Sequence, residues 1–240
     1  MIEVVVVGAA GRLGSLVCIE AARDARFHVK AKVGRNESLA SMLAGAAVVV
    51  DVATAGSTAV RAAACVAAGV PLVVATTGMS ADDDRALADA ARTIPVLVAA
   101  NLSVSAHLAA ALVEDASARW PGADVEVIEV HHNKKKDAPS GTALMFARAA
   151  AAGRNVDPAA SIKRGRDGAS LRVPGEIGVV AVRGGDVVGE HSVFFLGDGE
   201  RIEIVHRVSD RVVFARGALA AAAFLVGKPA GRYSMGDVLA

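Results

Sequence analysis

The segment from His131 to Thr142 combines histidine, lysine and a Ser-Gly-Thr step, the residue types needed to react a small carboxylate. An Ala-rich run at 143–152 follows directly, and we expect it to form a helix capped by Ser140. The first-turn amides of Gly141 and Thr142 would then be open to an anion, with the helix dipole in support. Lysine adds positive charge, and histidine can transfer a proton near neutral pH. The segment therefore predicts a carboxylate site.

Each of these residues also has a purely structural interpretation. The run of three lysines from Lys134 to Lys136 is typical of a solvated loop, and paired histidines are often polar surface. The functional interpretation is favoured because the residues occur together, directly ahead of a helix start that can bind an anion.

The order His-His-x-x-Lys-x-Asp-Ala-Pro-Ser-Gly-Thr resembles the substrate-site signature of the dihydrodipicolinate reductase family, whose members are also called 4-hydroxy-tetrahydrodipicolinate reductases. On this pattern the lysine of the family falls on Lys135. The resemblance implies that hydride from NADPH or NADH adds to C4 of the unsaturated ring of a cyclic dicarboxylate, in the diaminopimelate route to lysine.

A ring that accepts hydride must then take up a proton, and we expect His131 to be the acid that supplies it. Lys135 is expected to polarise the substrate. The predicted substrate-binding residues are His132, Ser140, Gly141 and Thr142.

A second motif follows the first hydrophobic run of the chain. The run from Glu3 to Val7 predicts a strand buried on both faces of a parallel sheet, and an amphipathic helix is expected from about Ser15 to Asp24. Gly8, Gly11 and Gly14 lie between them, in the setting of a dinucleotide-binding turn. Their GxxGxxG spacing differs from GxGxxG, so a tight turn without a ligand is the alternative.

Strands and helices alternate over the first hundred residues, which predicts a Rossmann-like, doubly wound parallel sheet. Further strands are expected at 28–33, 46–53, 72–75 and 96–99, and further helices at 57–69 and 82–93. Ligands of such sheets bind at the carboxyl ends of the strands. The residues expected along that edge include Gly8, Thr54, Thr76, Thr77, Gly78, Ala99, Ala100 and Asn101.

This half also resembles the reductase family, in the glycine turn, the Thr-Thr-Gly turn and the Ala-Asn-x-Ser turn. The predicted cofactor contacts are Gly8, Ala10, Gly11, Arg12, Leu13, Gly14, Arg35, Thr54, Ala75, Thr76, Thr77, Gly78, Ala99, Ala100, Asn101 and Leu102. Two of them depart from the family pattern. Ala75 stands where glycine is usual, and Leu102 where an aromatic residue is frequent.

The end of the second predicted strand bears on the choice of cofactor. NAD-selective sites commonly carry Asp or Glu about 20 residues after the glycine turn, but Gly34 occupies that position and Arg35 follows it. Arg35, with Arg12, could pair with a 2′-phosphate, although Arg35 could also be a surface residue. Glu37 lies slightly further on and could reach the ribose. We predict that NADPH is used at least as well as NADH.

From Ser103 onward the pattern predicts an α+β domain with a mixed, largely antiparallel sheet. Helices are expected at 105–119 and 214–226, strands at 125–130, 177–183, 187–196 and 201–207, and a polar stretch at 155–168. We expect a dinucleotide-binding domain at 1–102 and a substrate-binding and oligomerisation domain at 103–211. In the family the tail packs back on the nucleotide domain, which implies that 212–240 completes it.

The segment from Arg183 to His191 matches a further family pattern, Arg-x-Gly-Asp-x-x-Gly-Glu-His. We interpret its glycines and Asp186 as shaping a hairpin between two strands rather than as performing chemistry.

Composition disfavours several other classes of protein. No uninterrupted apolar run approaches the ~20 residues of a spanning helix, and the N-terminus runs into a strand rather than a basic leader. A net charge of +1 and 3% aromatic residues do not favour nucleic acid. Cys18 and Cys65 lack metal spacing, and we interpret them as buried thiols of a cytoplasmic protein without a metal.

The resemblance further implies a homotetramer built through the C-terminal sheets, acting on a small dicarboxylate. Two other functions stay open from the sequence. One is an NAD(P)-dependent oxidoreductase of another small carboxylate. The other is a non-catalytic dinucleotide sensor, which would have no need of the His-His-x-x-Lys pattern at a strand end.

Overall fold

A computed structural model describes residues 1–240, and the chain forms two compact units. The first comprises Met1–Val104 and Arg211–Ala240, and the second comprises Ser105–Asp210. None of the helices is both long enough and apolar enough to cross a membrane.

Eleven strands and eight α-helices make up the two units. The strands are β1 (Ile2–Val7), β2 (Phe27–Val33), β3 (Val48–Asp51), β4 (Leu72–Val74), β5 (Pro95–Val98), β6 (Asp124–His131), β7 (Ile162–Arg164), β8 (Ile177–Arg183), β9 (Gly189–Leu196), β10 (Arg201–Val208) and β11 (Gly231–Tyr233). The helices are α1 (Arg12–Arg23), α2 (Thr58–Ala68), α3 (Ala81–Ala90), α4 (Val104–Arg119), α5 (Gly141–Gly153), α6 (Pro158–Ser161), α7 (Val212–Leu225) and α8 (Met235–Leu239), with a 3₁₀ turn at Leu39–Met42.

The first unit contains a six-stranded parallel sheet in the order β11-β5-β4-β3-β1-β2. Its inner strands β1, β3, β4 and β5 are mostly apolar because alternate side chains pack against helices on opposite faces. The edge strand β2 instead alternates and exposes polar side chains such as Lys30 and Lys32. In β1, Val4 and Val6 share a core with α1 and α7, whereas Val5 and Val7 share one with α2 and α3. The predicted Rossmann-like, doubly wound sheet is confirmed.

One strand of this sheet was absent from the sequence prediction. Residues Gly231–Tyr233 form β11, which pairs in parallel with β5. The strand is only three residues long and begins with glycine, so it carries no periodic signal of its own. Its partner strand, distant in sequence, determines its conformation.

The second unit contains a five-stranded sheet in the order β10-β9-β6-β8-β7. β9 pairs antiparallel with β6 and β10, whereas β6, β8 and β7 run parallel. The predicted mixed sheet is confirmed, but with two parallel and two antiparallel pairings it is not largely antiparallel. Helices α4 and α5 pack on one face through Val113 and Phe146, against strand residues such as Val127 and Phe195. The opposite face exposes several apolar side chains: Ile128, Val180, Val182 and Val205.

The interpretation of the segment from Arg183 to His191 as a hairpin is wrong. β8 and β9 do not pair with each other, because β6 lies between them. Their connection crosses the end of β6: the Gly184 amide donates to the His131 carbonyl at 3.0 Å, and the His132 amide donates to the Val187 carbonyl at 2.8 Å. The connection therefore fixes the backbone at the start of the His131 segment. The polar stretch at 155–168 contains two short elements that were not predicted, α6 and β7.

The packing of α7 gives a test of the first unit. A Cβ on Gly217 would lie 1.7 Å from the carbonyl oxygen of Leu102. In an unobstructed helix Ala is favoured over Gly by about 1 kcal/mol, but overpacking typically costs about 1–3 kcal/mol. We expect Gly217→Ala to lower the free energy of unfolding in urea. The control is Gly122→Ala, whose added carbon meets nothing within 4 Å. An unchanged midpoint for Gly217→Ala would contradict this packing.

Candidate active site

The carboxyl ends of the parallel strands in the first unit carry the residues predicted to contact a cofactor. Gly8 follows β1, Arg35 lies just beyond β2, Thr54 follows β3, and the turns at 75–78 and 99–102 follow β4 and β5. All of them therefore lie along one edge of the sheet, as expected for a ligand of a doubly wound fold.

The glycine turn is built by close contacts that a side chain would prevent. Gly8 has a φ of +78°, and a Cβ on it would lie 2.9 Å from the Cα of Ala53. A Cβ on Gly14 would lie 2.1 Å from the carbonyl oxygen of Gly8. These contacts bring the first turn of α1 directly against the end of β1, the arrangement that a pyrophosphate needs to approach the backbone.

No side chain caps the N-terminus of α1 or offsets the positive end of its dipole. Gly11 is the N-cap and offers no side-chain hydrogen bond, and the first turn, which contains Arg12 and Leu13, holds no acidic residue. The first amides of a helix lack intrahelical partners, and the dipole makes that end positive. The residues present therefore fit the pyrophosphate of a dinucleotide.

A cavity of about 620 Å³ opens beside this turn. Its walls include five of the predicted cofactor residues: Gly8, Ala10, Gly11, Arg35 and Thr54. Its volume lies in the range of small-molecule sites. The glycine turn and the ends of β2 and β3 thus line one cavity. The turns at 75–78 and 99–102 do not line it.

The turns at 75–78 and 99–102 contain buried residues that stabilise the strand ends and exposed residues that face solvent. Thr76 is buried, and its hydroxyl donates to the Ala53 carbonyl at 3.0 Å, which ties the end of β4 to the end of β3. Asn101 accepts from the Ser103 amide at 2.8 Å. The buried members are Thr76, Ala99 and Leu102; the exposed ones are Thr77, Gly78 and Ala100, with Ala75 and Asn101 half-buried.

A buried ion pair under the cavity was missed by the sequence analysis. Asp51, at the end of β3, is fully buried, and Arg61 Nε donates to its Oδ2 at 2.5 Å. Arg61 Nη2 also donates to the Thr54 carbonyl at 3.1 Å, and the other Asp51 oxygen accepts from the Ala53 amide at 3.0 Å. Burial raises the pKa of Asp51 against the opposing effect of Arg61. The pair fixes the loop after β3 that lines the cavity.

The carboxylate of Glu37 folds back to Gly34, the residue that stands where an NAD-selective site commonly has Asp or Glu. Its Oε2 accepts from the Gly34 amide at 2.5 Å and lies 3.2 Å from where a Cβ on residue 34 would be. Glu37 and Arg35 both line the cavity. A carboxylate that can accept from a ribose hydroxyl and a guanidinium that can pair with a 2′-phosphate are therefore neighbours.

In the second unit, the predicted acid His131 ends β6 and is almost fully buried. Its Nδ1 lies 2.5 Å from Oε2 of Glu129, which stands two residues earlier on the same face of the strand. A Cβ on Gly189 would lie 3.0 Å from His131 Nε2, so glycine at 189 leaves room beside that nitrogen.

Glu129 is a buried carboxylate with donors from three places. Arg183 of β8 donates to both of its oxygens, at 2.8 and 2.7 Å, and the Ser140 amide donates to Oε1 at 2.9 Å. Burial raises the pKa of Glu129, but the hydrogen bonds from Arg183 and His131 outweigh burial, so its pKa is lowered overall. Glu129 is therefore ionised at neutral pH.

Ser140 caps α5 as predicted: its hydroxyl oxygen accepts from the Ala143 amide at 3.1 Å. The same oxygen lies 3.2 Å from Nε2 of His191, and the Ser140 amide is bonded to Glu129. Both polar groups of Ser140 are thus engaged within the protein. The first-turn residues of α5 that follow it are Gly141 and Thr142.

The loop between β6 and α5 holds the remaining predicted residues. Lys135 Nζ lies 2.9 Å from Asp137 Oδ1, and the Lys135 amide donates to the His132 carbonyl at 3.1 Å. His132 is half-buried, whereas Lys134 and Lys136 are exposed. The tight turn from 132 to 135 thus separates Lys135 from the two solvated lysines.

Burial favours the neutral forms of His131 and His191. Burial lowers the pKa of His131, although Glu129 opposes this effect. Burial lowers the pKa of His191 to about 3, and the nearby charges of His131 and His206 add to this shift. His191 therefore stays neutral near neutral pH. The lowered pKa of His131 makes its protonated ring a stronger acid than an ordinary imidazolium.

Sequence reasoning missed Glu129, Arg183, Gly189 and His191 as members of this site. The signal for Glu129 was present, since residues two apart on a strand share a face. The others are brought in by register: Arg183 pairs with His131 across β8 and β6, and His191 pairs with Glu129 across β9 and β6. The segment from Arg183 to His191 thus contributes three residues to the site: Arg183, Gly189 and His191.

The sheet and glycine turn of the first unit define a Rossmann-type dinucleotide-binding fold. Family models described as dihydrodipicolinate reductase, N-terminus and C-terminus, match residues 2–102 and 105–239. The chain therefore belongs to the dihydrodipicolinate reductase family.

Individual relatives agree over their full length. A 4-hydroxy-tetrahydrodipicolinate reductase of Anaeromyxobacter dehalogenans (strain 2CP-1) is 42% identical over 264 residues, covering 100% of this chain and 98% of the relative. One from Rubrobacter xylanophilus is 42% identical over 260 residues with the same coverage. The solved dipicolinate-bound dihydrodipicolinate reductase from Paenisporosarcina sp. TG-14 shares the fold, with a TM-score of 0.80 at 22% identity over 98% of this chain and 97% of that chain.

The neighbouring Arg35 and Glu37 generate a prediction on cofactor choice. We expect NADPH to be used at least as well as NADH by the wild type. Arg35→Ala should weaken NADPH selectively, because it removes a partner of the 2′-phosphate. Glu37→Gln should improve NADPH relative to NADH, because it removes a negative charge from the same place.

The measurement is kcat/KM for both cofactors on the wild type and the two variants. Strong preference of the wild type for NADH, or equal losses for both cofactors in Arg35→Ala, would contradict the prediction.

Proposed function

We propose that this chain is an NAD(P)H-dependent reductase of the dihydrodipicolinate ring derived from 4-hydroxy-tetrahydrodipicolinate. Its product would be tetrahydrodipicolinate, in the diaminopimelate route of lysine biosynthesis. The observation that carries the proposal is the end of β6, where His131, the loop of Lys135 and the start of α5 follow one another. Membership of the family and full-length relatives named for this reaction support it.

The substrate carboxylates would bind at the start of α5. The amides of Gly141 and Thr142 and the positive end of the helix offer hydrogen bonds and charge to an anion. Lys135 and His132 add donors from the loop before it. Ser140 would contribute through the helix that it caps, since its hydroxyl and amide are engaged elsewhere.

The nicotinamide, when bound, supplies the hydride. The chain must then give the ring a proton, and only one nitrogen of His131 is placed to deliver it. Nδ1 is held by Glu129, whereas Nε2 faces the space left by Gly189. Lys135, which Asp137 holds beside the site, would polarise the ring as it accepts hydride.

We assign dinucleotide binding to residues 1–102, completed by 212–240, and substrate binding and oligomerisation to 103–211. The cavity beside the glycine turn supports the first assignment, and the His131 segment supports the second. A cytoplasmic location is part of the proposal, since a biosynthetic reductase needs the NADPH of that compartment.

The proposed function is tested by following NADPH absorbance in the purified protein. We expect absorbance to fall only when the cyclic dicarboxylate is generated in the same solution. Turnover with a different small carboxylate instead would identify another oxidoreductase. Cofactor binding without turnover of any of them would identify a dinucleotide sensor. Either result would overturn the proposal.

Substitution of the two proposed catalytic residues gives a sharper prediction. His131→Gln and Lys135→Ala should each lower kcat while leaving NADPH binding unchanged, because both lie in the second unit. Loss of a general acid costs on the order of 10²–10⁴ in rate. Lys134→Ala, in the same loop but exposed, is the matched control and should keep its rate. A near-normal kcat for His131→Gln would remove its assignment as the acid.

The proposed homotetramer is supported by the uncovered face of the second sheet. Ile128, Val180, Val182 and Val205 lie on it with 37–43% of their surface exposed. Contiguous exposed apolar side chains are typical of association surfaces. We expect Val180→Glu to shift the mass measured by light scattering from tetramer to smaller species. Leu171→Glu, at an exposed loop position, should leave it unchanged. A monomeric wild type, or a tetrameric Val180→Glu, would contradict the prediction.

A further inference from the structure

Glu129 connects the two halves of the proposed substrate site. One of its oxygens lies 2.5 Å from His131 Nδ1, and the other accepts from the Ser140 amide at 2.9 Å. Its side chain is fully buried, so no water competes for these bonds. We propose that Glu129 is the positioning residue that orients both the proton donor His131 and the start of the substrate-binding helix. This inference rests on the proposed function.

The bond to Nδ1 determines which nitrogen of His131 can act. An ionised carboxylate only accepts hydrogen bonds, so Nδ1 must carry the hydrogen. Nε2 is then the atom that takes up and releases a proton, and it lies on the side where Gly189 leaves room. Without the carboxylate, the ring could change tautomer or rotate, and Nε2 would no longer be aligned.

The bond to the Ser140 amide determines where α5 begins. Ser140 is the N-cap of α5, so anchoring its backbone anchors the first-turn amides of Gly141 and Thr142. The proton donor and the proposed carboxylate-binding amides are therefore aligned by two oxygens of one rigid group. Such alignment matters for proton transfer to a bound ring, because small displacements of the reacting groups are costly in rate.

Arg183 holds Glu129 in place and keeps it ionised. Arg183 makes a bidentate contact with the Glu129 carboxylate. Its Nη2 also donates to the Asp137 carbonyl at 2.7 Å, which fixes the loop before α5. The alternative is that Glu129 and Arg183 form only a buried ion pair that stabilises the fold. Only the positioning role requires that loss of the Glu129 charge change the pKa of His131 and the pH dependence of the reaction.

The charged and titratable groups around His131 come from four elements. They are Glu129 on its own strand, Arg183 on β8, Lys135 and Asp137 in the following loop, and His191 on β9. Of these, Glu129 makes the only hydrogen bond to the ring and is the group that raises the pKa of His131 against burial. Removing its charge must therefore lower the pKa of His131.

The test compares Glu129→Gln, Glu129→Asp and the control Glu126→Gln. Glu126 is also on β6 and also pairs with arginines, Arg166 and Arg172, but does not contact His131. The pKa of His131 is read from the titration of its ring proton by NMR, assigned by its absence in His131→Gln. The second measurement is kcat and KM against pH.

We expect Glu129→Gln to lower the pKa of His131 and to reduce kcat on the order of 10²-fold. Protonated His131 is lost as pH rises through its pKa, so the falling limb of kcat/KM should move to lower pH. KM for the dicarboxylate should rise as the start of α5 relaxes. Glu129→Asp keeps the charge but shortens the side chain, so the pKa of His131 should return closer to its wild-type value than kcat does. Glu126→Gln should match the wild type in both the pKa of His131 and kcat.

A Glu129→Gln variant that loses rate while the falling limb of kcat/KM and the pKa of His131 stay unchanged would overturn the inference. An equal fall in the pKa of His131 in Glu126→Gln would overturn it as well. If Glu129→Gln fails to fold with Arg183 unpaired, the double variant Glu129→Gln with Arg183→Gln removes both charges together. Arg183 lowers the pKa of His131 less than Glu129 raises it, so the pKa should still fall. The titration needs no substrate. A lowered pKa in a protein that does not reduce the dicarboxylate would therefore uphold the coupling to His131 while refuting the proposed function.

Discussion

The ionised carboxylate of Glu129, buried in the second unit, is the constraint on which the site depends. A charge without access to water is tolerated only when paired and hydrogen-bonded, and removing one partner of such a pair typically costs about 3–5 kcal/mol. Its donors come from β6, from β8 and from the start of α5. Satisfying this one group therefore requires all three elements to be in place.

The central position of β6 makes that arrangement possible. Because β8 and β9 lie on either side of it, Arg183 is brought beside His131 and His191 beside Glu129 by pairing register alone. The connection from β8 to β9 has to cross the end of β6, and its backbone bonds hold the His131 segment. A hairpin between β8 and β9 would have left that segment without these partners.

Local patterns were sufficient for much of the fold. The valine run of β1 and the glycine turn after it are readable because two-sided burial and close approach restrict the residue types at each position. The network around Glu129 was not readable, because membership depends on strand register and on which strand lies in the middle. Glu37 was recognised in the sequence as able to reach the ribose, but its bond to the Gly34 amide depends on how the loop after β2 folds back. Short β11 depends on its partner β5, not on its own sequence.

In the proposed function the ring gains a hydride from the cofactor and a proton from a different source, for which we propose His131. Isotope labelling tests this most directly: the reaction is run in ordinary water with NADPH deuterated at its transferable position, and the product is examined by NMR and mass spectrometry. One deuterium at C4 of the ring, and none elsewhere, is the predicted result. Oxidised cofactor with an unlabelled ring, or deuterium at another carbon, would contradict it.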